Sequence, residues 1–507
     1  MLKTIFCGNV TANFFVRKRK DSWVEMSNAS KSIHLKKEIL VRLVKAFFSE
    51  DFEKNARLIP YDMRPKGAEV PYRCCIYKER AILKDRVIAG LGFAIEDDDE
   101  TVSLSEYAKR AVERQTPEEN PLTVLGAACK ACVPKRIYVT DLCQGCVARP
   151  CKSTCKFGAI SIVNGKSVID STKCKACKMC IAACPYKAIA KVAVPCEDNC
   201  PVDAIQKNED GTAYINFDKC ISCGKCVSNC PFGAVHEKSM LIDILKLIKS
   251  GKETSLVFAP AVAAQFPGTP GQLKSAILKA GFTHVREVAH GADVTTRNEA
   301  AELKERLEAG ADFMTTSCCA GYNEFIKKHL PELAQYRSET KTPLYYTAQI
   351  EKEKHPDTTV IFVSPCVAKK REIQGNPDVD YVLSIEELGA LFVGRDIEIL
   401  DCEEYEDDYV PSKQGRNFPV SGGVAEAVKF VADCEVCPVV VNGLDKDSIK
   451  LLKKYVKDGK CPEGNLVEVM CCEGGCLNGN DNIADIRTSK KLLNTVLENS
   501  KDIEKQD

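Results

Sequence analysis

The sequence predicts a multidomain α/β protein in three parts: a mainly helical N-terminal region over residues 1–125, small α+β modules over 126–240, and a larger half over 241–507 in which parallel sheets are flanked by helices. Three observations carry this prediction. The segment KSIHLKKEILVRLVKAFF repeats apolar residues at helical spacing. Sixteen cysteines fall between Cys129 and Cys230, among short apolar runs and turns. Strand-like runs such as SLVFAPA and TTVIFVSPC then alternate with helical segments, which favours parallel sheets.

Composition excludes several classes of protein. The 507 residues carry 71 acidic and 71 basic side chains, so no net charge attracts the chain to nucleic acid or anionic lipid. No apolar stretch reaches the roughly 20 residues of a membrane helix, and the first residues lack the apolar core of a secretory signal. We therefore expect a soluble, cytoplasmic protein. In a reducing compartment its 29 cysteines indicate metal binding rather than disulfides.

The N-terminal region contains no motif that indicates a role. The segment SLSEYAKRAVERQ predicts a further helix, which begins after a serine and ends before Pro117. The acidic run EDDDE is expected to be a solvated loop. Because Cys7, Cys74 and Cys75 lack the spacing of metal ligands, we interpret them as ordinary thiols.

Two cysteine runs match C-x2-C-x2-C-x3-C-P, the run that binds 4Fe-4S clusters in bacterial ferredoxins. They consist of Cys174, Cys177, Cys180 and Cys184, and of Cys220, Cys223, Cys226 and Cys230. In such a run the fourth cysteine ligates the other cluster of a pair. A zinc site, usually built from pairs of C-x2-C, does not explain four cysteines in one run followed by proline. We therefore expect ferredoxin-like modules that relay single electrons.

Two further sets of cysteines are less regular. Their order along the chain suggests that the segment that binds one pair of clusters is inserted into the segment that binds the other pair. Cys196 and Cys200 look like the second half of a copy whose first half is Cys129 and Cys132. The resulting quartets leave no cysteine over: Cys143, Cys146, Cys151 with Cys184; Cys174, Cys177, Cys180 with Cys155; Cys129, Cys132, Cys196 with Cys230; and Cys220, Cys223, Cys226 with Cys200. We expect four accessory clusters. Three clusters, or clusters in the two regular runs alone, are the alternatives.

Three cysteine-bearing segments that directly follow presumed strands carry a family resemblance. TSCCAGY, SPCVAKKRE and EVMCCEGGC resemble the signature segments TSCCPxW, MPCxxKxxE and ExMxCxxGC of FeFe hydrogenases, in the same order. The similarity covers about residues 250–480. The cysteine array, the N-terminal region and the TSCCA variant resemble the clostridial-type group B of that family. Four cysteines from three strand ends can make one cubane site, namely Cys319, Cys366, Cys472 and Cys476.

The resemblance implies a reversible hydrogenase with two parallel-sheet lobes, which converts two protons and two electrons into H2. Its H-cluster would be that 4Fe-4S cubane, bridged through Cys476 to a diiron subcluster with CO, cyanide and a dithiolate. Electrons would come from ferredoxin through the accessory clusters, and dedicated maturation proteins would install the diiron unit. Gly474 and Gly475 fit a loop that brings backbone close to a bulky cofactor, or else an ordinary tight turn.

Five residues are expected to surround the cofactor: Ala259, Pro260, Ser364, Lys369 and Met470. Lys369 would supply a charge-assisted hydrogen bond to cyanide, and the alternative is a surface lysine in the run KKR. Met470 would pack beside the irons, or it would be an ordinary core residue of a strand. The sequence also departs from the family pattern, with Ser364 in place of Met, Ala320 in place of Pro and Tyr322 in place of Trp. These departures bear on catalytic bias rather than on the cofactor.

The resemblance also implies a proton route through Cys318, Glu299, Ser338, Glu302 and Arg306. Cys318 is not a cluster ligand in the family, and its thiol passes protons to the amine of the dithiolate bridge. Glu299, Glu302 and Arg306 fall on one face of a helix. A purely structural alternative makes Thr296 and Glu299 a capping box, and Glu302 and Arg306 an i,i+4 ion pair. We favour the relay because Cys318 and Ser338 are both in register.

The remaining metal-binding residue types are expected to play no part. Strand alternation predicts that Cys471 points away from its neighbour Cys472. Cys434 and Cys437 form a weak pair without metal. Among the six histidines, His290 and His355 included, no metal-like pair is visible.

Three other functions fit parts of the sequence. A non-catalytic iron-sulfur assembly protein would keep the cubane cysteines, but it would not need Cys318, Lys369, Glu299 and Glu302 together. A sensory hydrogenase would need a signalling partner, for which the N-terminal region could be an interaction module. A subunit of an electron-bifurcating complex would leave NAD or flavin to other subunits, since no GxGxxG opens a βαβ unit here.

Overall fold

The computed structural model describes residues 31–67, 73–129, 132 and 137–504. It shows a mixed α/β fold with two parallel sheets, many helices and small antiparallel ribbons between them, as the sequence predicts. The expectations for Cys7 and for the first residues of the chain lie outside the described residues. Within the described ranges, no helix has both the length and the apolar character that crossing a membrane requires.

Four helices form the N-terminal region: α1 (Lys31–Phe47), α2 (Phe52–Met63), α3 (Ile76–Gly90) and α4 (Leu104–Glu113). The helical spacing correctly predicts α1 and α4. Ser103 caps α4, since its side chain accepts a hydrogen bond from the backbone N–H of Glu106 at 3.3 Å. Apolar side chains of α1 such as Leu43 and Val44 are buried in the same core as the first parallel sheet of the larger half. The N-terminal helices therefore pack directly on that half.

The cysteine-rich modules consist of short strands and single-turn helices: β1 (Leu122–Val124), β2 (Ile137–Val139), α5 (Pro150–Thr154), β3 (Ile160–Val163), β4 (Lys166–Ile169), α6 (Met179–Ala183), β5 (Ile189–Lys191), α7 (Pro195–Asp198), β6 (Ile205–Lys207), β7 (Ala213–Ile215), α8 (Lys225–Asn229) and β8 (Val235–Glu237). All strand pairs here are antiparallel. β1 pairs with β8 and β6 with β7, whereas β2 pairs with β5 and β3 with β4. An inner unit from β2 to β5 is thus inserted into an outer unit from β1 to β8.

The larger half alternates strands and helices: α9 (Leu241–Ser250), β9 (Thr254–Phe258), α10 (Pro260–Ala263), α11 (Pro270–Lys279), β10 (His284–Glu287), α12 (Ala289–Glu308), β11 (Met314–Thr315), α13 (Ala320–His329), α14 (Pro343–Lys354), β12 (Thr359–Ser364), α15 (Lys369–Glu372), β13 (Tyr381–Ser384), α16 (Ile385–Gly394), α17 (Lys413–Asn417), α18 (Gly423–Val431), β14 (Pro438–Asn442), α19 (Lys446–Asp458), β15 (Leu466–Met470) and α20 (Ile486–Glu498).

Two parallel sheets organise this half. The first has the strand order β10-β9-β12-β13 and the second the order β11-β15-β14. The strands β9, β12 and β15 are buried along their whole length, as expected for parallel sheets covered by helices on both faces. The loops that leave β11, β12 and β15 carry the three cysteine segments, so the carboxyl ends of both sheets supply the candidate site.

Candidate iron-sulfur and cofactor site

Four cysteines from three loops converge where the two parallel sheets end. Cys319 follows β11, Cys366 follows β12, and Cys472 and Cys476 follow β15. Burial and the nearby Cys319 thiol raise the pKa of Cys476 to about 12. Burial, together with the thiols of Cys476 and Cys319, also raises the pKa of Cys366. The same neighbours surround Cys472. The four thiols therefore form one group.

The donor set and its surroundings fit a 4Fe-4S cubane. All four cysteines keep some accessible surface although protein surrounds them, as expected of side chains that line an internal space. Four thiols crowded together in a dry site would repel one another as thiolates, unless cations such as the irons of a cluster compensate them. The chemistry of this group therefore matches the ligation of a cubane by cysteine thiolates.

Gly474 and Gly475, between Cys472 and Cys476, let the loop pass close to other parts of the protein, whether or not a cofactor lies beside it. Gly474 and Gly475 have φ values of 82° and 81°, which favour glycine. A Cβ on Gly475 would lie 2.3 Å from the carbonyl oxygen of Pro419. The tight-turn alternative is therefore sufficient to explain both glycines.

Lys369 points into the site. Its Nζ donates a hydrogen bond to the carbonyl oxygen of Cys318 at 3.3 Å and forms an ion pair with Glu372. Burial lowers the pKa of Lys369, but Glu372 and the nearby thiols raise it more, so the net pKa lies above its ordinary value. The side chain is only 14% exposed, which excludes the alternative of a solvated surface lysine. A permanent positive charge is thus held beside Cys318.

The other residues expected at the cofactor lie around the same strand ends. Ala259 follows β9, with its N–H bonded to the carbonyl oxygen of Val363 at 3.0 Å, and Pro260 begins α10. Met470 ends β15 and is buried in an apolar cluster that contacts Cys318 and Cys319. The hydroxyl of Ser364 donates to the carbonyl oxygen of Cys366 at 2.8 Å and accepts from its N–H at 3.1 Å. Ser364 therefore fixes the loop that carries Cys366.

A buried carboxyl group lies next to Cys318. Glu299 on α12 is fully buried, and its Oε1 accepts hydrogen bonds from the N–H and the hydroxyl of Ser317 at 3.2 and 3.3 Å. Burial raises the pKa of Glu299 to about 7. Burial and the Glu299 carboxylate raise the pKa of Cys318 well above its ordinary value. Cys318 therefore keeps its proton, whereas Glu299 titrates near neutral pH.

Ser338 connects this carboxyl group to the surface. Its hydroxyl lies near Glu299, whose Oε2 has no hydrogen-bond partner among the described residues, and it donates to Oε2 of Glu302 at 2.6 Å. Nε of Arg306 donates to Oε1 of Glu302 at 2.9 Å. Burial opposes ionisation of Glu302, but hydrogen bonds from Ser338 and from backbone N–H groups outweigh it and lower the pKa. The side chain of Arg306 is 21% exposed, so the row of polar groups extends from Cys318 to solvent.

Of the two structural explanations for the polar residues of α12, the capping box is wrong and the ion pair is confirmed. Thr296 does not begin α12, which starts at Ala289, and its hydroxyl donates instead to the carbonyl oxygen of Ala292 at 2.8 Å. The capping box is therefore absent at this position. The ion pair between Glu302 and Arg306 is present, at 2.7 Å.

The inner unit brings together two of the expected cysteine quartets, each around its own cavity. One cavity is lined by Cys143, Cys146, Cys151 and Cys184. A second cavity is lined by Cys155, Cys174, Cys177 and Cys180. The fourth cysteine of each of these two sets thus lies with the first three of the other set.

The outer unit groups its eight cysteines in the same crossed way. The thiols that lie near Cys196 are those of Cys132 and Cys230, and Cys132 also lies near Cys129. In the second group, the neighbours of Cys223 are Cys220 and Cys200. Those of Cys226 are Cys223, Cys220 and Cys200, followed by Cys196 of the first group. Cys223 also lies close to Cys471 and Cys472, so this second group adjoins the thiols at the sheet ends.

Backbone geometry in the cysteine loops is suited to wrapping around a cluster. Ala176 and Lys178 in the first regular run, and Ser222 and Gly224 in the second, have left-handed φ values at matching positions. Backbone N–H groups also point at sulfur: those of Ala188, Ala204 and Ala234 each donate to the cysteine four residues earlier, at 3.2–3.4 Å. Such hydrogen bonds stabilise thiolate ligands.

Two expectations about unused residues were wrong. Cys471 does not point away from the site, because its thiol lies near that of Cys319 in one apolar core. His284 and His355 do pair: their rings stack at 3.5 Å, and Nε2 of His284 lies 2.9 Å from Oε1 of Glu253. One ligand atom each of Glu253, His284 and His355 lies within 4.8 Å of the others, a spacing that could hold a metal ion, contrary to the expectation for the histidines.

Sequence reasoning missed several polar groups that support the site. Ser317 donates a hydrogen bond to Glu299, and Thr340 donates one to Glu302. Glu372 forms an ion pair with Lys369. Glu468 accepts hydrogen bonds from the N–H groups of Gly422 and Ala425 at 2.8 and 2.9 Å. Burial raises the pKa of Glu468 to about 7. Ser317, Glu372 and Glu468 lie within the signature segments and Thr340 does not, so membership of those segments was the available signal for three of the four residues.

Comparison with known proteins agrees with this geometry. Residues 252–480 match the family model "iron only hydrogenase large subunit, C-terminal domain". Residues 190–241 match the Fe-S cluster-binding domain of LdpA, and residues 167–190 match the 4Fe-4S binding domain. Two of the matched ranges thus lie in or next to the cysteine-rich units, and the third lies in the larger half.

Several curated relatives align with parts of the chain. Iron hydrogenase 1 of Clostridium pasteurianum is 28% identical over 256 residues, which are 41% of this chain and 45% of the relative. The periplasmic Fe hydrogenase large subunit of Nitratidesulfovibrio vulgaris is 28% identical over 305 residues, 48% of this chain and 72% of the relative. A probable cytosolic Fe-S cluster assembly factor of Drosophila virilis is 26% identical over 234 residues, 35% and 49% of the two chains.

The chain spans about half the length of the first curated relatives it matches. A solved FeFe-hydrogenase variant from Chlamydomonas reinhardtii is 22% identical, with a TM-score of 0.40, and the match covers 48% of this chain and 84% of that one. The family model and the curated relatives, taken with the three cysteine loops, support the placement of residues 252–480 in the iron-only hydrogenase large subunit family.

Proposed function

We propose that the protein is a reversible FeFe hydrogenase of the clostridial-type group B, which interconverts H2 with two protons and two electrons. The observation that carries the proposal is one constellation: the thiols of Cys319, Cys366, Cys472 and Cys476 form a group with Cys318 and Lys369 beside it. An assembly protein needs the four ligands alone. Ala320 in the first cysteine segment supports the assignment to group B.

The four thiols would hold the cubane of an H-cluster, and the resemblance assigns to Cys476 the bridge to the diiron unit. When bound, this group supplies the redox chemistry by which protons and H2 interconvert. Lys369 offers a protonated Nζ to the anionic ligands of the diiron unit, and Met470 excludes water from its side of the site. Ser364 keeps the Cys366 loop in place. Maturation proteins would have to deliver the diiron unit.

Protons would move between solvent and the site along the polar row on α12. Arg306 and Glu302 lie at the outer end, Ser338 in the middle, and Glu299 and Cys318 at the inner end. A carboxyl group with a pKa of about 7 can both accept and release a proton near neutral pH. The thiol of Cys318, which keeps its proton, is then the last donor before the cofactor.

Electrons would pass through four accessory 4Fe-4S clusters, from the inner unit to the outer unit and then to the site. The contact between Cys223 and the Cys471–Cys472 segment supports this order, because it joins the last quartet to the cubane ligands. We further propose three domains over residues 1–125, 126–240 and 241–507, and a cytoplasmic location. Both proposals rest on the sequence.

An infrared spectrum of the anaerobically matured protein tests the proposed activity. We expect bands of metal-bound CO and cyanide, which shift under H2 or added CO, and we expect H2 production from a reduced electron carrier. The Cys366→Ser variant, matured in parallel, should lack the bands. If the wild-type protein shows no bands despite filled 4Fe-4S clusters and active maturation proteins, the hydrogenase proposal is wrong and an assembly role takes its place.

The inner unit has the surface expected of a docking site for ferredoxin. Residues 137–191 contain nine basic and only two acidic side chains. Exposed apolar groups lie among them, with Val147 at 97% and Met179 at 50% exposure beside cluster cysteines. A basic rim around a small apolar centre suits a brief encounter with an acidic electron carrier, because the charges speed association.

Charge reversal on this surface should weaken the reaction with ferredoxin. The triple variant Lys173→Glu, Lys175→Glu, Lys178→Glu should raise the KM for an acidic ferredoxin about tenfold at low salt. Turnover with a small dye should not change. Arg487→Glu, Lys490→Glu, Lys491→Glu on α20 makes the same charge change far along the chain and serves as the control. Equal KM values for both triple variants would contradict docking at the inner unit.

A further inference from the structure

Two histidines and a glutamate meet at the amino ends of the first parallel sheet, the end opposite to the loop of Cys366. Glu253 directly precedes β9, which is the strand between β10 and β12. His284 is the first residue of β10, and His355 directly follows α14, shortly before β12 begins. The middle strand thus brings a carboxylate, and the segment on each side of it brings an imidazole.

The distances among these three side chains are close to those among the ligands of one metal ion. Nε2 of His284 lies 2.9 Å, and Nδ1 of His355 lies 3.8 Å, from the same carboxylate oxygen, Oε1 of Glu253. One ligand atom of each residue lies within 4.8 Å of the other two. Two ligand atoms that are each about 2.0–2.1 Å from a tetrahedral zinc ion lie about 3.3–3.4 Å from each other. Small movements of the side chains are therefore enough to bring all three into zinc coordination.

The sheet fixes the backbone from which these side chains extend. The N–H of Thr359 donates to the carbonyl oxygen of Glu253 at 3.0 Å, which ties the start of β12 to the start of β9. The N–H of Thr283 donates to the carbonyl oxygen of Thr254 at 3.0 Å, which ties β10 to β9 in the same way. The three candidate ligands therefore stay close together, and only their side-chain torsions have to change on metal binding.

The two imidazole rings are free to turn. Their centroids lie 3.5 Å apart, with an angle of 11° between the ring planes. The side chains of His284 and His355 are 27% and 31% exposed, and that of Glu253 is 41% exposed, so none of them is enclosed by protein. The second torsion of a histidine side chain has a broad energy well, so each ring turns at little cost. Turning both rings about their Cβ–Cγ bonds directs their lone pairs toward Oε1 of Glu253.

The charge around the group also favours a cation. Among the described residues, the ion pairs recorded for Glu253 are those with the two histidines, and none is with a lysine or an arginine. The other group of the described chain with metal-like spacing consists of Glu237, Glu386 and Asp481. There the ammonium of Lys36 lies 2.7 and 2.6 Å from the first two carboxylates. That group has its cation within the chain, whereas Glu253 has only two imidazoles, which are neutral ligands when deprotonated.

We propose that Glu253, His284 and His355 bind a divalent transition-metal ion such as zinc, with water as the fourth ligand. Two imidazole nitrogens and one carboxylate oxygen suit Zn²⁺, whereas Ca²⁺ and Mg²⁺ take oxygen ligands. The ion would link β9, β10 and the segment before β12, and so stabilise the amino ends of the first sheet. The proposal does not depend on hydrogenase activity, because the group lies at the opposite end of the sheet from the cysteine loop.

Equilibrium dialysis against zinc chloride tests the proposal on the full chain with its 4Fe-4S clusters filled, under anaerobic conditions. Bound zinc and iron are then measured by mass spectrometry. We expect one zinc ion per chain to bind at micromolar free zinc, without loss of iron. His284→Gln and His355→Gln should each weaken zinc binding by at least about tenfold, because the loss of even an indirect support of a metal site costs about 10- to 100-fold. Unchanged iron content shows that these variants fold.

X-ray absorption at the zinc edge identifies the ligands of the bound ion. We expect nitrogen and oxygen neighbours with the outer scattering of imidazole, and no sulfur. His329→Gln is the control and should bind zinc like the wild-type protein, since His329 belongs to no metal-like group of the described residues and its Nε2 lies 2.7 Å from the carbonyl oxygen of Lys219. The proposal is overturned if no zinc binds, if both histidine variants bind zinc as tightly as the wild-type protein, or if the bound zinc has sulfur neighbours and iron is lost.

Discussion

Replacement of Glu299 by Gln should slow both H2 production and H2 oxidation by about 100- to 1,000-fold, in line with the loss of a group that transfers protons. Glutamine has nearly the same shape and keeps an acceptor for the bonds from Ser317, but it cannot take up or release a proton in this pH range. Glu299 is fully buried beside Cys318, so its replacement interrupts the row of polar groups at the inner end.

The preference between H2 production and H2 oxidation should change with pH in a defined direction. Burial raises the pKa of Glu299 to about 7, so the carboxyl group holds its proton below that pH and releases it above. Proton delivery to the site therefore favours H2 production below about pH 7, whereas proton removal favours H2 oxidation above it. Glu299→Gln should lose this change of preference together with the rate.

Matched variants make the measurement decisive. Glu305→Gln removes an exposed carboxylate from the same helix and should retain wild-type rates. The infrared bands of Glu299→Gln should match those of the wild-type protein, since no cluster ligand changes. A Glu299→Gln enzyme with more than about half of the wild-type rate would exclude the α12 row as the proton route.

Replacement of Lys369 by Met should remove most of the diiron unit while leaving the 4Fe-4S clusters in place. We expect the CO and cyanide bands to weaken by about 10- to 100-fold, as is typical when a group that supports metal ligands is lost. Met keeps the apolar length of the side chain but removes the positive charge beside Cys318, and it leaves Glu372 without its ion pair.

Arg371→Met is the control for this prediction, because it removes a positive charge two residues away whose partner Glu119 is mostly exposed. Iron content and the electron paramagnetic resonance of the 4Fe-4S clusters show whether the fold survives. Full band intensity in Lys369→Met would show that the charge is not required to retain the cofactor.

The sequence was most informative where ligands lie a few residues apart. The two regular cysteine runs and the three signature segments are local patterns, and they located the loops at the strand ends correctly. Even the nested grouping of the modules followed from spacing, since β2 and β5 pair inside the span from β1 to β8. The resemblance of the three signature segments to a known family predicted the other candidate site residues, such as Cys318, Glu299 and Lys369.

The errors arose where a local rule did not apply or where contacts join distant residues. Alternation along a strand predicts that Cys471 points away from Cys472, but β15 ends at Met470, so the rule no longer holds there. The capping box at Thr296 failed because α12 begins seven residues earlier, at Ala289. His284 and His355 are brought together only by the sheet, and their separation along the chain gives no sign of it.

The pairing of β2 with β5 has a consequence for how such chains change in evolution. Ile137 lies opposite Lys191, so the chain enters and leaves the inner unit at neighbouring positions. A segment attached in this way can be gained or lost as a cassette, because the two cut ends already lie side by side. The electron path that we propose would therefore lengthen or shorten by the two quartets of the inner unit at a time.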